Sequence, residues 1–448
     1  MALSTPLVLP LLLLVLVLPP ALRDYLSAGH LDAGVVGSEL HLHPVILLPG
    51  MGCSDLEARL TEAYRPSEPR CGAMKGKGWF ELWKNASDLA DHDYVHCFLE
   101  QMRLVYDPST NDYRNLPGVE TRVPNFGSTT AFSQKIPLKS DWCLGKLKHV
   151  LENKGYREGD TMFGAPYDFR YAPPAPGQTS QVYSRYFKEL TELVEAASER
   201  KRKKAVILGH SFGGMVALEF VRNAPLPWRN QYIHHLVLVA PTLSTGFMEP
   251  LSNFASGTNI LFVPTTPPPT PPPAPLRLTT RAMWRSFESA IMNFPSPAVF
   301  GRSRPLVVTR ERNYTARDME RFLSAVGFGE AVEPFRRRAV PKMDNFVAPM
   351  VPMTYINGVG NRTPLQLGYW DDDFDASPET VVYGDGDGKI NLVSVLAFEE
   401  EMGRQPGQRE QFRSIKINKA QHSSIVTDDF ALDNVIQEIL EVNRQSPS

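Results

Sequence analysis

Gly209-His-Ser-Phe-Gly213 sets a serine between two glycines where an apolar run, Ala205–Leu208, gives way to the helical pattern Met215-Val-Ala-Leu-Glu-Phe-Val221. Glycines at this spacing also make ordinary tight turns, so the motif alone is weak. Between a β-type run and a helix it describes a sharp bend that lifts a serine hydroxyl above a sheet. The helix N-terminus then lies beneath that hydroxyl, its N–H groups aimed at developing negative charge.

A serine is a useful nucleophile only beside a base. In a strand–turn–helix architecture of this kind, the acid and then the histidine follow it along the chain. Only His234, His235 and His422 follow Ser211. The first two open the next predicted strand, too early for an acid to intervene. His422 sits in Asn418-Lys-Ala-Gln-His-Ser-Ser424, just after a predicted strand, where a catalytic loop belongs; the alternative is a polar surface histidine. For the acid, Val381-Val-Tyr-Gly-Asp-Gly-Asp-Gly388 ends a strand in a glycine-rich turn. Spacing does not choose between Asp385 and Asp387. Such a turn also suggests calcium, but an EF-hand loop needs Asp or Asn at its fifth position and Gly at its sixth, where this chain has Lys389 and Ile390. Asp371-Asp-Asp-Phe-Asp375 reads as a solvated acidic loop rather than a metal site. No metal or organic cofactor is expected. Two backbone N–H groups should form an oxyanion hole: Phe212, next after the serine, and Met51, in Leu48-Pro-Gly-Met-Gly52.

The elements that must position these residues alternate. His43–Gly50 reads as a short buried strand and Asp160–Pro166 as a weaker one. Further strands are predicted at Ala205–Leu208, His235–Val239, Met353–Asn357, Thr380–Tyr383 and Ser414–Ile417. Val182–Ala197 carries a helical stripe, and Phe430–Val442 closes the chain as an amphipathic helix. Alternating short apolar strands and helices predict an α/β fold on a mostly parallel sheet. Residues 51–150 and 245–345 break the alternation and read as insertions into one domain spanning 40–448. The second carries a proline run, 264–275, expected as a surface loop.

The chain has 448 residues, 42% hydrophobic and 21% charged, with a net charge of −2. That balance gives no reason to expect nucleic acid as a partner. Arg200–Lys204 ends a predicted helix, where cations complement the dipole. Leu7–Leu18 has signal-peptide character: as a helix it is about 18 Å long, short of a membrane core of about 30 Å. Residues 1–28 are read as a cleaved signal, with an uncleaved anchor as the alternative. Asn85, Asn313 and Asn361 head N-glycosylation sequons. In an oxidising compartment Cys71 and Cys97 could close a modest loop, worth about 3.5 kcal/mol by chain entropy. The pairing among Cys53, Cys71, Cys97 and Cys143 is not fixed by sequence.

With these motifs together, the chain resembles the lecithin–cholesterol acyltransferase family, which includes lysosomal phospholipase A2, and most nearly its plant members. The resemblance covers roughly residues 44–445. It rests on Leu48–Arg59 (LPGMGCSDLEAR), Gly164–Arg170 (GAPYDFR), the serine turn, Tyr383–Gly388 and His422. It implies an α/β-hydrolase core, a cap between the later strands, and a small membrane-binding subdomain with a lid. Residue by residue it implies oxyanion donors at Met51 and Phe212, Asp387 as the acid, and a lid disulfide between Cys71 and Cys97. Trp79, Phe80 and Trp83, between those cysteines, would enter a lipid surface or cover an acyl chain; the alternative is ordinary core. The chain departs from the family at Lys389-Ile390 (usually Thr-Val), at Ala240–Thr245, in the proline run, and in lacking cysteines that match a second family disulfide. The expected activity is a Ser211–Asp387–His422 phospholipase or O-acyltransferase in the secretory pathway. It would act at a phospholipid surface, with water or a lipid alcohol as acyl acceptor. The rival expectation is an inactive lipid-binding protein on the same scaffold.

Overall fold

The computed structural model describes residues 42–83, 92–132, 143–257, 274–343 and 345–444. The leader, Asn85 and residues 264–273 of the proline run lie outside the described residues. From His43 onward the chain forms one compact unit. The apolar runs become six strands: β1 (Val45–Leu48), β2 (Met162–Gly164), β3 (Ala205–His210), β4 (Ile233–Val239), β5 (Met353–Val359) and β6 (Phe412–Asn418). They lie in the order β6-β5-β4-β3-β1-β2, and every pairing is parallel. β1, β3 and β4 are buried along their whole length. That is why Val45–Leu48, Ala205–Leu208 and Leu236–Val239 read as unbroken apolar runs rather than alternating ones. Each fully buried Val, Leu or Ile contributes about 1.5–3 kcal/mol.

Three helices frame the sheet and the serine turn. α1 (Gln181–Lys201) is capped by Ser180, whose side chain accepts from Tyr183 N, and ends at Arg202 in a left-handed turn. Its terminal cations are structural: Arg200 donates to Gly159 O at 2.6 Å and Lys201 pairs with Asp160 at 2.5 Å. α2 (Phe212–Asn223) is buried on nearly every residue. It lies against β1, β3 and β4 at the centre of the molecule. α3 (Asp429–Arg444) closes the chain on an apolar stripe that includes Leu432, Val435, Ile436 and Ile439. Among the described residues no helix is long and apolar enough to cross a membrane.

Sheet order reverses at β1, so the loops after β1 and β3 flank one crevice, where ligands of open α/β sheets bind. The predicted strand at Thr380–Tyr383 exists, as Thr380–Gly386, but not in this sheet. It pairs antiparallel with Asn361–Tyr369 at the edge of a separate four-stranded sheet. Pro305–Thr309 and Asn313–Thr315 complete that second sheet. The segment 245–345 therefore shares a sheet with the acid-bearing strand, joined to it through Asn361–Tyr369, instead of standing apart. The segment 51–150 holds a three-stranded sheet (Trp79–Glu81, Glu57–Leu60 and Val119–Arg122) and the hairpin Leu104–Asp107/Asp112–Asn115. Two disulfides tie it down, Cys71–Cys97 within it and Cys53–Cys143 across most of its length. The second pair is one the sequence left open.

Candidate active site

Ser211 stands between β3 and α2 with φ 54° and ψ −124°. A non-glycine residue there carries strain of about 1–3 kcal/mol and persists only when its surroundings over-determine it. They do: Ser211 N donates to Val239 O at 3.0 Å, while Ser211 O accepts from Gly214 N at 2.9 Å and Thr242 N at 3.1 Å. The glycines follow from the same crowding. A Cβ on Gly213 would lie 2.3 Å from Pro49 O and 2.4 Å from Leu48 O. A serine at a helix N-cap ordinarily turns its hydroxyl back onto the helix. Ser211 makes no such bond. Its Oγ lies 2.9 Å from His422 Nε2 instead.

His422 follows β6 and is held on both sides. Its N–H donates to Asp387 O at 2.9 Å, and its Nδ1 lies 2.8 Å from Asp387 Oδ2. A carboxylate only accepts, so Nδ1 is the donor and Nε2 presents its lone pair to the serine hydroxyl. Asp387 is 1% exposed. Its other oxygen accepts from Lys389 N at 2.9 Å and Ile390 N at 2.6 Å. Asp385 faces outward and caps Gly360 N at 2.6 Å. The turn thus offers two aspartates, and only Asp387 reaches the histidine.

The loop after β1 is fixed at three points. Tyr167 donates its hydroxyl to Pro49 O at 2.8 Å, Trp83 donates Nε1 to Gly52 O at 2.8 Å, and Cys53 is bonded to Cys143. Gly50 lies against the nucleophile, since a Cβ on it would sit 3.3 Å from Ser211 Cβ. Met51 is half-buried beside it, and Phe212 opens α2 with an N–H that no helix can satisfy internally. Tyr167 and Trp83 were not legible as supports of this loop. The only signal was their presence in the GAPYDFR and aromatic segments. His210 also joins the site, its Nε2 lying 3.3 Å from His422 O. Burial pulls its pKa down to about 3, which keeps it neutral beside the serine.

In the aromatic segment the rings of Trp79, Phe80 and Trp83 are each half-buried. The guanidinium groups of Arg122 and Arg59 stand 4.4 and 5.1 Å from the Trp79 ring. Phe80 packs on two apolar clusters. Trp83 meets Phe169 edge-on at 5.0 Å. Asn313 is exposed, whereas the Asn361 amide, half-buried, donates Nδ2 to Ala420 O at 2.8 Å. Among the described residues no cluster of three or more His, Cys, Asp or Glu could hold a metal ion.

A parallel sheet with a strained serine at the strand–helix bend, and a histidine and a carboxylate arriving from later loops, defines an α/β-hydrolase. Sequence comparison is more specific: the profile described as "Lecithin:cholesterol acyltransferase" matches residues 79–340, and the chain belongs to that family. It is 42% identical to "Lecithin-cholesterol acyltransferase-like 1" of Oryza sativa subsp. japonica, over 91% of this chain and 90% of that one. It is 30% identical to "Lysosomal phospholipase A and acyltransferase" of Canis lupus familiaris, over 82% of this chain and 84% of that one. The human "Phosphatidylcholine-sterol acyltransferase" is 29% identical, over 97% of this chain and 94% of that one.

Proposed function

We propose that the protein is a serine-dependent lipid acyl hydrolase and O-acyltransferase that cleaves a phospholipid acyl ester through an acyl-serine intermediate. Ser211 attacks the ester carbonyl while His422 Nε2 takes its proton, and Asp387 holds the imidazole and stabilises its charged form. The N–H groups of Met51 and Phe212 face the oxyanion of the tetrahedral intermediate; a donor in that role is typically worth about 3–4 kcal/mol. His422 then protonates the departing lysophospholipid. Water, or a lipid alcohol such as a sterol, attacks the acyl-serine and restores the enzyme. The nucleophile, base, acid and oxyanion donors in these steps are all side chains or backbone N–H groups of this chain.

The observation that carries the reading is the hydrogen-bonded run from Ser211 Oγ through His422 to Asp387, at 2.9 and 2.8 Å. The family and the names of its members support a lipid ester as substrate. Two disulfides and an apolar leader support folding in the secretory pathway. The 51–150 segment, with Trp83 next to the oxyanion loop, is the surface assigned to lipid contact.

The test is incubation of purified protein with phospholipid vesicles carrying a labelled acyl chain, with and without sterol, beside Ser211→Ala. Label in free fatty acid regardless of sterol identifies a phospholipase, and label diverted to steryl ester a transferase. A folded Ser211→Ala protein of wild-type rate would refute the mechanism.

A further inference from the structure

Beside the loop after β1 lies a small, partly open cavity of about 60 Å³. Met51 forms one wall, with Phe247, Glu249, Phe254, Trp284 and Asn293 among the others. Two of these side chains are incompletely used. Trp284 and Asn293 are 7% and 3% exposed. Neither the indole Nε1–H of the one nor the amide Oδ1 of the other has a hydrogen-bond partner among the described residues. Asn293 is nonetheless held firmly, its Nδ2 donating to Ser289 O at 2.9 Å and its backbone carbonyl accepting from Phe247 N at 3.1 Å. Buried donors and acceptors are rarely left unmet, and each exception calls for an explanation. Here a donor and an acceptor are both left over on residues that line one cavity.

The chemistry of the pair is selective. An ester or phosphate oxygen would satisfy Trp284 and leave Asn293 unmet, and an ammonium group would do the reverse. A hydroxyl accepts from the indole and donates to the amide at once. The cavity matches about two waters of liquid volume, room for a hydroxyl and the carbon that bears it. Phe247, Phe254 and Met51 offer apolar surface to the carbon.

The cavity is also tied to the reacting groups. Met51 in its wall adjoins Gly50, which lies against Ser211. Glu249 pairs with Lys389 at 3.3 Å, and Lys389 N is one of the donors that hold Asp387. Resting on the reading of Ser211 as nucleophile, we propose that Trp284 and Asn293 form the subsite that receives the hydroxyl of the acyl-accepting lipid alcohol. In the transfer step that hydroxyl exchanges its bond to Asn293 for one to His422 Nε2 and gives up its proton there. Its oxygen bonds to the acyl carbon as the Ser211 Oγ–acyl bond breaks, and Ser211 recovers the proton from His422. Trp284 and Asn293 are therefore specificity-determining rather than catalytic residues.

The test uses the full glycosylated chain, phosphatidylcholine vesicles with a labelled acyl chain, and 1-octanol as the acceptor probe. The quantity read is the ratio of octyl ester to free fatty acid. Both products arise from one acyl-enzyme, so the ratio does not depend on how fast that intermediate forms. Trp284→Phe removes the N–H and keeps a ring, and Asn293→Ala removes the carbonyl. Each should lower the ratio about tenfold, the weight of one hydrogen bond. Trp370→Phe, which removes an indole N–H from an exposed ring outside the cavity, should change it less than twofold. An unchanged ratio in both polar variants, or an equal fall in Trp370→Phe, overturns the proposal. Free acid with no octyl ester from the wild type also overturns it, leaving the cavity to water. No Ser211-dependent product at all overturns the nucleophile reading, and this subsite with it.

Discussion

Asp387→Asn and Asp385→Asn make the sharpest paired perturbation, because two aspartates one glycine apart have opposite surroundings. An asparagine in place of Asp387 can keep its oxygen on Lys389 N and Ile390 N, the bonds Asp387 Oδ1 accepts at 2.9 and 2.6 Å. Its NH₂ then faces His422 Nδ1, which forces that nitrogen to accept and leaves the proton on Nε2. The imidazole would point a proton at Ser211 Oγ where a lone pair is needed. A triad in the wrong tautomer typically loses about 10⁴ in kcat, or about 5.4 kcal/mol of transition-state stabilisation at 1.36 kcal/mol per decade. Asp385 Oδ1 only caps Gly360 N. The side-chain carbonyl introduced by Asp385→Asn retains that bond, so this variant should stay within twofold of wild type. The assay is hydrolysis of a short-chain p-nitrophenyl ester, with thermal melts to show that both variants fold. A folded Asp387→Asn protein above a tenth of the wild-type rate, or a collapse in Asp385→Asn instead, would refute the reasoning.

Stability should fall as the medium is acidified. Burial depresses His210 and His235 to about 3, and His43, stacked on His234 with ring centroids 3.7 Å apart, to about 4. These groups stay neutral when folded but take up protons when unfolded below about pH 6.5. Their stabilisation is full above that pH and is lost as the pH falls toward the folded values. For His210 and His235 the loss at pH 5 is about 2 kcal/mol each, and a urea midpoint that stays flat from pH 7.5 to 5 would contradict it. The disulfides should differ in weight. Cys53–Cys143 spans 90 residues and Cys71–Cys97 spans 26, so double serine replacement should cost about 4.6 kcal/mol for the first and about 3.5 for the second by chain entropy. Urea unfolding under non-reducing conditions reads the difference, and the reverse order would contradict it.

The sheet was legible where a strand was buried on both faces, since burial leaves β1, β3 and β4 apolar over Val45–Leu48, Ala205–Leu208 and Leu236–Val239. The serine turn was legible because its Gly-x-Ser-x-Gly spacing between an apolar run and a helical pattern is local, although the crowding that requires Gly213 comes from Leu48 and Pro49 in the loop after β1. The acid turn was legible only to within two residues. Choosing Asp387 needed the resemblance or the fold, because the choice depends on which carboxylate the chain turns inward. What stayed hidden was long-range. Nothing local says that Thr380–Gly386 joins a second sheet with Pro305–Thr309, that Cys53 meets Cys143, or that Trp83 reaches across to Gly52. The surroundings of the aromatic segment stayed hidden for a related reason: Arg59 and Arg122, on the other strands of its small sheet, come to cover Trp79.

The most direct test of the central claim is mass spectrometry of the protein quenched in acid soon after mixing with phospholipid vesicles of one acyl composition. The expected result is the mass of that acyl group on the peptide containing Ser211, with none on Ser211→Ala and accumulation in a variant slowed at deacylation. An acyl group found on another residue, or product formed while Ser211 stays unmodified throughout turnover, would contradict it.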